Sequence, residues 1–217
     1  MRKANIMADA ATSDDFSRTN IDSRILLRKV NELLIKPKAV YVNKFNEESA
    51  LKFHKDMAEA EDTGQDIIPV YIDSYGGYVD ALVHMVDVIR SCKVTVATIC
   101  LGKAMSCGAV LLTQGAEKHR YMAPASRVMI HDVASFAYGK VEEIKSSAEE
   151  TERLNDLIYT WMAEGTGHDV DYFKKIVHDK SHADWYLTAD EAKKHNIVNH
   201  IKIPKFNINV NVNVKFG

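Results

Sequence analysis

The fold is decided by the stretch IIPVYIDSYGGYVDALVHMVDVIRSCKVTVATICL, residues 67–101. Residues 67–72 are apolar on both faces, which predicts a buried parallel strand, and the Gly76-Gly77 pair marks the turn that follows it. Residues 79–92 then show helical spacing, and residues 94–101 predict a second buried strand. Because a strand, a helix and a strand in this order pack as layers, the stretch predicts an α/β domain with a sheet crossed by right-handed connections. The residues expected to face inward from the helix are Ala81, Leu82, Met85, Val86 and Ile89.

Further elements are predicted on both sides of this stretch. Upstream, helical spacing predicts a helix over residues 25–35 that ends before Pro37. A strand at 39–42 and a helix from Asn46 or Glu47 to Gly64 follow it. Downstream, the predicted elements are helices over 106–114 and 170–178, a helix capped by Thr188 or Asp190, and strands at 121–122, 128–130, 185–187 and 197–203.

Three segments fall outside this layered pattern. Residues 1–22 are polar, which predicts a loose arm and places the domain over 23–203. Residues 141–163 predict a long polar helix whose thin apolar stripe does not suit a globular core, so it should project or pack against another copy of the chain. In the tail, 204–217, apolar residues alternate with polar ones over 206–216. This alternation predicts an added edge strand or a docking strand.

Composition excludes several classes of protein. The 217 residues carry 28 Lys+Arg against 30 Asp+Glu, and a net charge of −2 gives no reason to expect a nucleic-acid partner. Three cysteines, an odd number, argue against a disulfide framework and fit a reducing compartment. The sequence has no apolar run of membrane-spanning length, and residues 1–20 lack the apolar centre of a secretory signal. A cytoplasmic protein with no membrane partner is therefore expected.

Three residues at the edges of predicted elements could carry nucleophilic catalysis. Ser106 follows a buried strand and opens a helix, where backbone N–H groups and the positive helix end favour an anionic transition state. His131 ends a predicted strand, and Asp184 precedes another. Each alone has an ordinary reading, as a helix cap, a packed histidine or a turn residue. Together they supply the nucleophile, the base and the orienting carboxylate of acyl transfer.

Four blocks of the sequence resemble the ClpP family, the proteolytic subunits of the Clp proteases. The blocks are YIDSYGG at 71–77, TICLGKAMSCGA at 98–109, SRVMIH at 126–131 and DWYLTADEA at 184–192. They occur in the family's order within a similarity that runs from about residue 38 to 203. The resemblance implies a ClpP/crotonase-like fold, in which repeated β-β-α units form layers and a handle helix, here 141–163, projects.

The resemblance also implies a serine endopeptidase and assigns its residues. Ser106 would be the nucleophile, His131 the general base and then acid, and Asp184 the orienting carboxylate. The backbone N–H groups of Gly76 and Cys107 would form the oxyanion hole. No metal and no cofactor are expected. The substrate peptide would pair as a strand with Gly77, Tyr78 and an extended segment over 133–139 that begins with Val133 and Ala134.

The family's assembly is implied in the same way. Its members form heptameric rings, which stack through the handle helix into a tetradecamer and enclose the active sites in a chamber. Such a chamber admits only unfolded polypeptides, so an ATP-driven AAA+ unfoldase of the ClpX or ClpA type would deliver the substrates. The resemblance therefore implies a homo-oligomer with an unfoldase as partner.

The chain departs from the family pattern at several places. Asp73-Ser74-Tyr75 stands where Asn-Ser-Pro is usual, which keeps the glycines but predicts a looser turn. Asp132-Val133 follows the base where Gln-Pro is usual, and Asp132 is expected to point to solvent. Ala183 replaces an arginine that takes part in ring-to-ring ion pairs, which places the double ring in question. The two ends of the chain match no segment by which the family senses its unfoldase.

Other functions remain open at the level of sequence. The altered glycine turn and Asp132 would suit a catalytically weak or inactive structural subunit of a mixed ring. A crotonase-like enzyme acting on acyl-thioesters would use paired N–H groups, but it would not need the serine, histidine and aspartate. A virus-type capsid maturation protease is a narrower alternative.

Two smaller constellations also suggest chemistry. Lys103 precedes Ser106 by three residues, which raises a Ser–Lys dyad, although the histidine and aspartate match the serine better. His178 and His182 are four residues apart, with Asp179 and Asp184 nearby. Spacing places no third ligand for zinc, so these two histidines are expected to be solvated surface residues.

Overall fold

The computed structural model describes residues 37–205 and two short strands near the ends of the chain. Residues 38–204 form one compact unit, and residues 1–37 with 205–217 form another. In chain order the elements are β1 (Ala4–Asn5), β2 (Val40–Val42), α1 (Glu47–Asp62), β3 (Ile67–Ser74), α2 (Val79–Ser91), β4 (Thr95–Met105), α3 (Cys107–Thr113), β5 (Arg120–Met122), β6 (Arg127–Ile130), α4 (Val141–Thr166), α5 (Tyr172–Asp179), β7 (Trp185–Leu187), α6 (Ala189–Lys194), β8 (His200–Ile201) and β9 (Val212–Asn213).

The two ends of the chain meet in one described pair. Strands β1 and β9 pair in parallel, with Ala4 opposite Val212 and Asn5 opposite Asn213. The predicted helix over 25–35, most of the predicted arm and most of the predicted tail strand lie outside the described residues. The boundary of the domain at residue 23 therefore stays a prediction.

A seven-stranded sheet organises the larger unit and confirms the predicted α/β class. Strands β2, β3, β4, β5 and β8 pair in parallel in that order, and β7 pairs antiparallel with β6. Strand β4 contacts β3 along one edge. On its other edge β4 pairs with β5 near its start and with β6 near its end. Because Met105 pairs with Met129, the residues that follow β4 and β6 emerge at the same place.

The hydrophobic core forms where the helices cover β3 and β4. Helix α1 packs against β2, β3 and α2, while α3 packs against β4 and α4. The apolar residues of β3 and β4 are buried on both faces over most of their length, which confirms the predicted buried parallel strands. The predicted inward face of α2 is also confirmed, because its buried residues are Ala81, Leu82, Met85, Val86 and Ile89.

Helix α4 differs from its prediction along its length. Its 26 residues correspond to about 39 Å of helix at 1.5 Å per residue. The first half is almost entirely exposed, as expected of a polar helix. In the second half Ile158, Trp161 and Met162 are buried, because this half packs against α3. The prediction that the helix leaves the globular core was therefore wrong for its second half.

Several element bounds also differ from their predictions. Strand β4 continues past residue 101 to Met105, since its last residues pair with β6. The strand predicted over 197–203 is reduced to His200–Ile201. Helix α6 begins after Thr188, which is one of the two predicted caps. Within the part of the chain that is described, no helix combines the length and the apolar content that a membrane crossing requires.

Candidate active site

Ser106 occupies a sharp turn between β4 and α3. Its backbone has φ +54° and ψ −123°, a conformation that L-residues seldom adopt. The Ser106 N–H donates to the carbonyl of Met129 at 2.8 Å, so pairing with β6 holds the turn in place. The side chain makes no capping hydrogen bond to α3. Its hydroxyl is therefore free of the ordinary role that a serine has at the start of a helix.

His131 directly follows β6, and its ring contacts the serine. His131 Nε2 lies 2.9 Å from Ser106 Oγ, which is hydrogen-bond distance. The two residues are 25 positions apart in the sequence, and the pairing of β4 with β6 brings them together. A serine hydroxyl in contact with an imidazole nitrogen is the arrangement from which a base can remove the serine proton.

Asp184 lies on the other side of the imidazole. Its Oδ1 is 3.8 Å from His131 Nδ1, which is close enough for ionic attraction but too long for a hydrogen bond. The Asp184 side chain is 49% exposed, and Tyr186 Oη lies 3.5 Å from Oδ2. The structure thus brings all three predicted residues together, in the order serine, histidine and aspartate, with the second link longer than the first.

The Gly76-Gly77 turn lies against the serine and requires glycine at both positions. Gly76 has φ +103° and Gly77 has φ +152°. A Cβ on Gly76 would lie 2.7 Å from Ser106 Cβ, and one on Gly77 would lie 2.3 Å from the carbonyl oxygen of Phe45. A side chain on Gly76 would therefore collide with Ser106, and a side chain on Gly77 would collide with the backbone of Phe45.

The backbone donors around Ser106 are not equivalent. Cys107 is the first residue of α3, so its N–H cannot be satisfied within the helix. The Gly76 N–H donates to Ser74 Oγ at 3.1 Å, whereas Gly77 lines the cavity beside Ser106 together with Cys107. Gly76 lies directly against the serine, since a Cβ on it would lie 3.1 Å from Ser106 Oγ, and it stays the predicted second donor beside Cys107.

Ser74 holds the glycine turn in the absence of the usual proline. Besides accepting from Gly76, its hydroxyl donates to the carbonyl of Asn43 at 3.0 Å, and the residue is fully buried. Tyr75 extends into solvent, and the ammonium group of Lys103 lies 4.3 Å from its ring centroid. Lys103 Nζ also contacts Asp73 Oδ1 at 2.7 Å. The lysine amine is thus paired with Asp73, which argues against a Ser–Lys dyad.

A cavity of about 110 Å³ opens beside Ser106 and His131. Most of its side chains are apolar, and α2, α3, β6 and α4 all contribute to its wall. Its size suits one aliphatic side chain of a bound peptide. The apolar lining residues are Val79, Leu82, Val110, Ile130, Ile158 and Met162.

The predicted substrate-binding residues lie at or beside this cavity. Gly77, Val133 and Ala134 line it. Residues 133–138 form no strand within the chain, and the pairing of this segment with a substrate peptide stays a prediction. The Val133 N–H already donates to Asn155 Oδ1 of α4 at 2.6 Å, and the Tyr78 N–H donates to the carbonyl of Phe45 at 2.8 Å. These two N–H groups are engaged within the chain, so a peptide would have to pair with other groups of the same segments.

Cys107 carries a thiol next to the serine. Burial raises the pKa of Cys107 to about 11, with its Sγ 3.2 Å from the carbonyl oxygen of Gly77. The thiol is therefore protonated near neutral pH, and the thiolate is the reactive form of cysteine. The Cys107 thiol therefore does not compete with Ser106, which stays the candidate nucleophile.

The expectation for Asp132 was wrong. Its carboxylate accepts a hydrogen bond from Tyr159 Oη at 2.7 Å and contacts His182 Nδ1 on its other oxygen. Burial opposes ionisation of Asp132, but the hydrogen bonds from His182 and Tyr159 lower the pKa of this carboxyl overall. Burial, followed by the contact with Asp132, raises the pKa of Tyr159. A tyrosine on a buried turn of α4 was not recognisable as this partner from spacing alone.

The amino-acid sequence is similar to those of known proteins. Residues 23–204 match the Clp protease family. The chain is 35% identical over 146 residues to the ATP-dependent Clp protease proteolytic subunit 1 of Bifidobacterium longum, which covers 67% of this chain and 60% of that protein. It is 39% identical over 147 residues to the ATP-dependent Clp protease proteolytic subunit of Bacteroides thetaiotaomicron, covering 68% and 64%. The chain thus spans less than two thirds of the length of these relatives.

Proposed function

We propose that this chain, which belongs to the Clp protease family, is a serine endopeptidase that cleaves unfolded polypeptides. The observation that carries the proposal is the 2.9 Å contact between Ser106 Oγ and His131 Nε2 at the edge of an apolar cavity. A serine and a base in contact beside a side-chain pocket are what peptide-bond hydrolysis by acyl transfer requires.

The first half of the reaction follows from the contacts of Ser106. His131 takes the hydroxyl proton at Nε2 as Ser106 Oγ bonds to the carbonyl carbon of the peptide. The carbonyl oxygen becomes an oxyanion, which the N–H groups of Cys107 and Gly76 can stabilise from the start of α3 and from the glycine turn. His131 then gives the proton to the leaving amine, and an acyl-enzyme remains.

The second half regenerates the serine. Water donates a proton to His131 and attacks the acyl carbon, after which the proton returns to Ser106 and the acid product leaves. In both halves Asp184 stabilises the imidazolium that forms. For this role the 3.8 Å separation between Asp184 Oδ1 and His131 Nδ1 must shorten to about 2.8 Å in the substrate complex. Catalytic contacts that are long in a free enzyme commonly tighten in this way.

The exposed half of α4 supports an oligomeric enzyme. Val141 and Ile144 on this half are exposed, and Phe136 and Tyr138 in the preceding segment are more than 85% exposed. Apolar side chains in such a position suit contact with other copies of the chain. We include in the proposal a heptameric ring, with or without a second ring stacked on it, whose chamber receives chains from an AAA+ unfoldase of the ClpX or ClpA type.

Replacement of the nucleophile tests the chemistry. Ser106→Ala should abolish cleavage of a fluorogenic peptide, because it removes the hydroxyl that contacts His131 Nε2. A fluorophosphonate probe should label the unaltered chain at Ser106, and His131→Ala should suppress that labelling. Mass spectrometry of the labelled peptide identifies the modified residue.

A matched control separates chemistry from folding. Ser91→Ala removes an exposed serine at the end of α2 and should leave cleavage and labelling unchanged. Circular dichroism should show that Ser106→Ala is folded. Cleavage that persists in Ser106→Ala would remove the assignment of the nucleophile. A folded, unaltered chain that the probe never labels would instead favour an inactive structural subunit.

A further inference from the structure

A group of three potential metal ligands lies next to the candidate triad. Asp132, His178 and His182 each present one ligand atom, and these atoms lie within 4.8 Å of one another. Within the described residues this is the one group of three histidine, cysteine or acidic side chains so arranged. We propose that these residues bind a divalent transition metal ion of the zinc class. The proposal does not depend on the proposed peptidase activity.

The two histidines converge because of the turn that ends α5. His178 is in the last turn of that helix, and the chain reverses directly after it, with φ +58° at both Ser181 and His182. The His182 N–H donates to the carbonyl of Val177 at 3.0 Å, which holds the reversal against the helix. The two imidazole rings end 4.3 Å apart, measured between their centroids.

The third ligand comes from a distant part of the chain. Asp132 follows β6 and is 50 positions from His182, so spacing could not place it beside the histidines. Tyr159 of α4 donates to one carboxylate oxygen and leaves the other facing His182. A hydrogen bond to the second oxygen of a ligating carboxylate is the usual support that orients such a ligand.

The donor set and its access favour zinc. Two imidazole nitrogens and one carboxylate oxygen are a ligand set typical of zinc sites that keep a fourth position for water. His178 and His182 are exposed and Asp132 is 24% exposed, so an ion can reach the group from solvent. A second histidine pair, His54 and His84, contacts at 3.1 Å but belongs to no such group of three within the described residues.

A small rearrangement would complete the site. Ligand bonds of about 2.0–2.2 Å at tetrahedral angles place neighbouring ligand atoms about 3.3 Å apart. Asp132 Oδ2 and His182 Nδ1 lie 2.5 Å apart, so they would separate by about 0.8 Å. The His182 side chain is 58% exposed and has room for this movement. A bound metal ion would then replace the direct contact between Asp132 and His182 as the link between the segments that carry these two residues.

The segments that the ion would join are those that carry the base and the carboxylate of the candidate triad. Asp132 is adjacent to His131, and His182 precedes Asp184 by two residues. The ion would thus crosslink the end of β6 to the turn between α5 and β7. Because an ion that binds only the folded state stabilises it by mass action, zinc should raise the melting temperature.

Isothermal titration of the full, tag-free chain with zinc chloride tests the proposal. One zinc per chain should bind, and both His178→Ala and Asp132→Asn should lose at least about tenfold in affinity. The control variant His54→Ala should bind as the unaltered chain does. Cobalt(II) in place of zinc should give the intense visible absorption of a tetrahedral site, and this absorption should be lost in His178→Ala.

Three results would overturn the proposal. One is the absence of saturable binding by the unaltered chain together with no zinc-dependent rise in melting temperature. Another is binding that survives both His178→Ala and Asp132→Asn. The third is binding that survives His178→Ala but is lost in His131→Ala, which would place the ion on the triad. Circular dichroism confirms that each variant is folded before it is titrated.

Discussion

At the scale of single residues, the site depends on backbone conformations that few residues tolerate. Ser106 has positive φ although it is not glycine, and pairing with β6 holds it there through Met129. A strained residue persists where the surrounding structure determines its conformation, and such residues gather at functional sites. Gly76 allows the glycine turn to approach within contact of the serine, and Gly77 allows the same turn to pack against the backbone of Phe45. The Ser106 hydroxyl is thus positioned by the backbone conformation of Ser106 and also by the absence of side chains in the adjacent glycine turn.

Gly77→Ala should destabilise the fold much more than Gly64→Ala does. Both positions have positive φ, but a Cβ at 77 would lie 2.3 Å from the carbonyl oxygen of Phe45, whereas nothing lies within 4 Å at 64. The cost at 64 should be the left-handed penalty of about 1–2 kcal/mol. At Gly77 the steric clash with Phe45 adds to the free-energy cost of the positive φ, so the total loss of stability should be larger. Urea unfolding of both variants measures the difference, and equal midpoints would contradict the contact seen between Gly77 and Phe45.

At the scale of elements, short segments around Asp184 are held by local caps. Strand β7 has three residues and pairs antiparallel with β6, and α6 follows it immediately. Thr188 caps α6 by accepting from the Glu191 N–H, and the Glu191 carboxylate accepts from the Thr188 N–H and hydroxyl. These hydrogen bonds, first from the Thr188 backbone and then from its side chain, lower the pKa of Glu191. The cap therefore anchors the segment that positions the candidate carboxylate.

Thr188→Ala should lower the free energy of unfolding by about 1 kcal/mol, because it removes the oxygen that caps α6. Thr188→Ser keeps that oxygen and should lose much less. Urea denaturation followed by circular dichroism compares the two variants with the unaltered chain. Identical midpoints for the alanine and serine variants would show that the hydroxyl does not cap the helix in solution.

At the scale of the whole molecule, the described surface suits an assembly better than a single copy. Most residues in the first half of α4 are exposed, and large apolar side chains stand exposed just before it. The residue before Asp184 is Ala183, where the family's arginine would join two rings. The exposed helix therefore supports the ring proposed above, whereas Ala183 would omit one of the contacts that the resemblance implies between two rings.

Native mass spectrometry should find seven copies in the assembly. Fourteen copies are expected only if other contacts hold two rings together in the absence of the arginine that Ala183 replaces. Ile144→Lys places a charge on the exposed half of α4 and should shift the distribution toward smaller species, because a charge buried at a contact between copies is costly. The exposed variant Lys145→Glu on the same half offers a polar control. A monomer of the unaltered chain across the working concentration range would contradict the chamber.

Much of the local structure was predictable because it depends on short-range patterns. The buried strands β3 and β4 and the inward face of α2 follow from periodicity, and the start of α6 follows from capping, with Thr188 one of the two predicted caps. The end of β4 was not predictable, since residues 103–105 pair with β6 and Ala104 also pairs with Ser74 of β3, contacts that lie far away in the sequence. The burial of the second half of α4 likewise depends on α3 packing against it.

By itself, the sequence determined the α/β class, the order of the elements and the three residues expected to act together. Only the tertiary structure decided that Ser106 touches His131, that Asp184 lies 3.8 Å from the imidazole, and that Asp132 turns away toward Tyr159 and His182. The reason is physical: periodicity and capping act within a few residues of the chain. Contacts between residues 25 to 53 positions apart depend instead on how β4, β6 and the turn before β7 pack together.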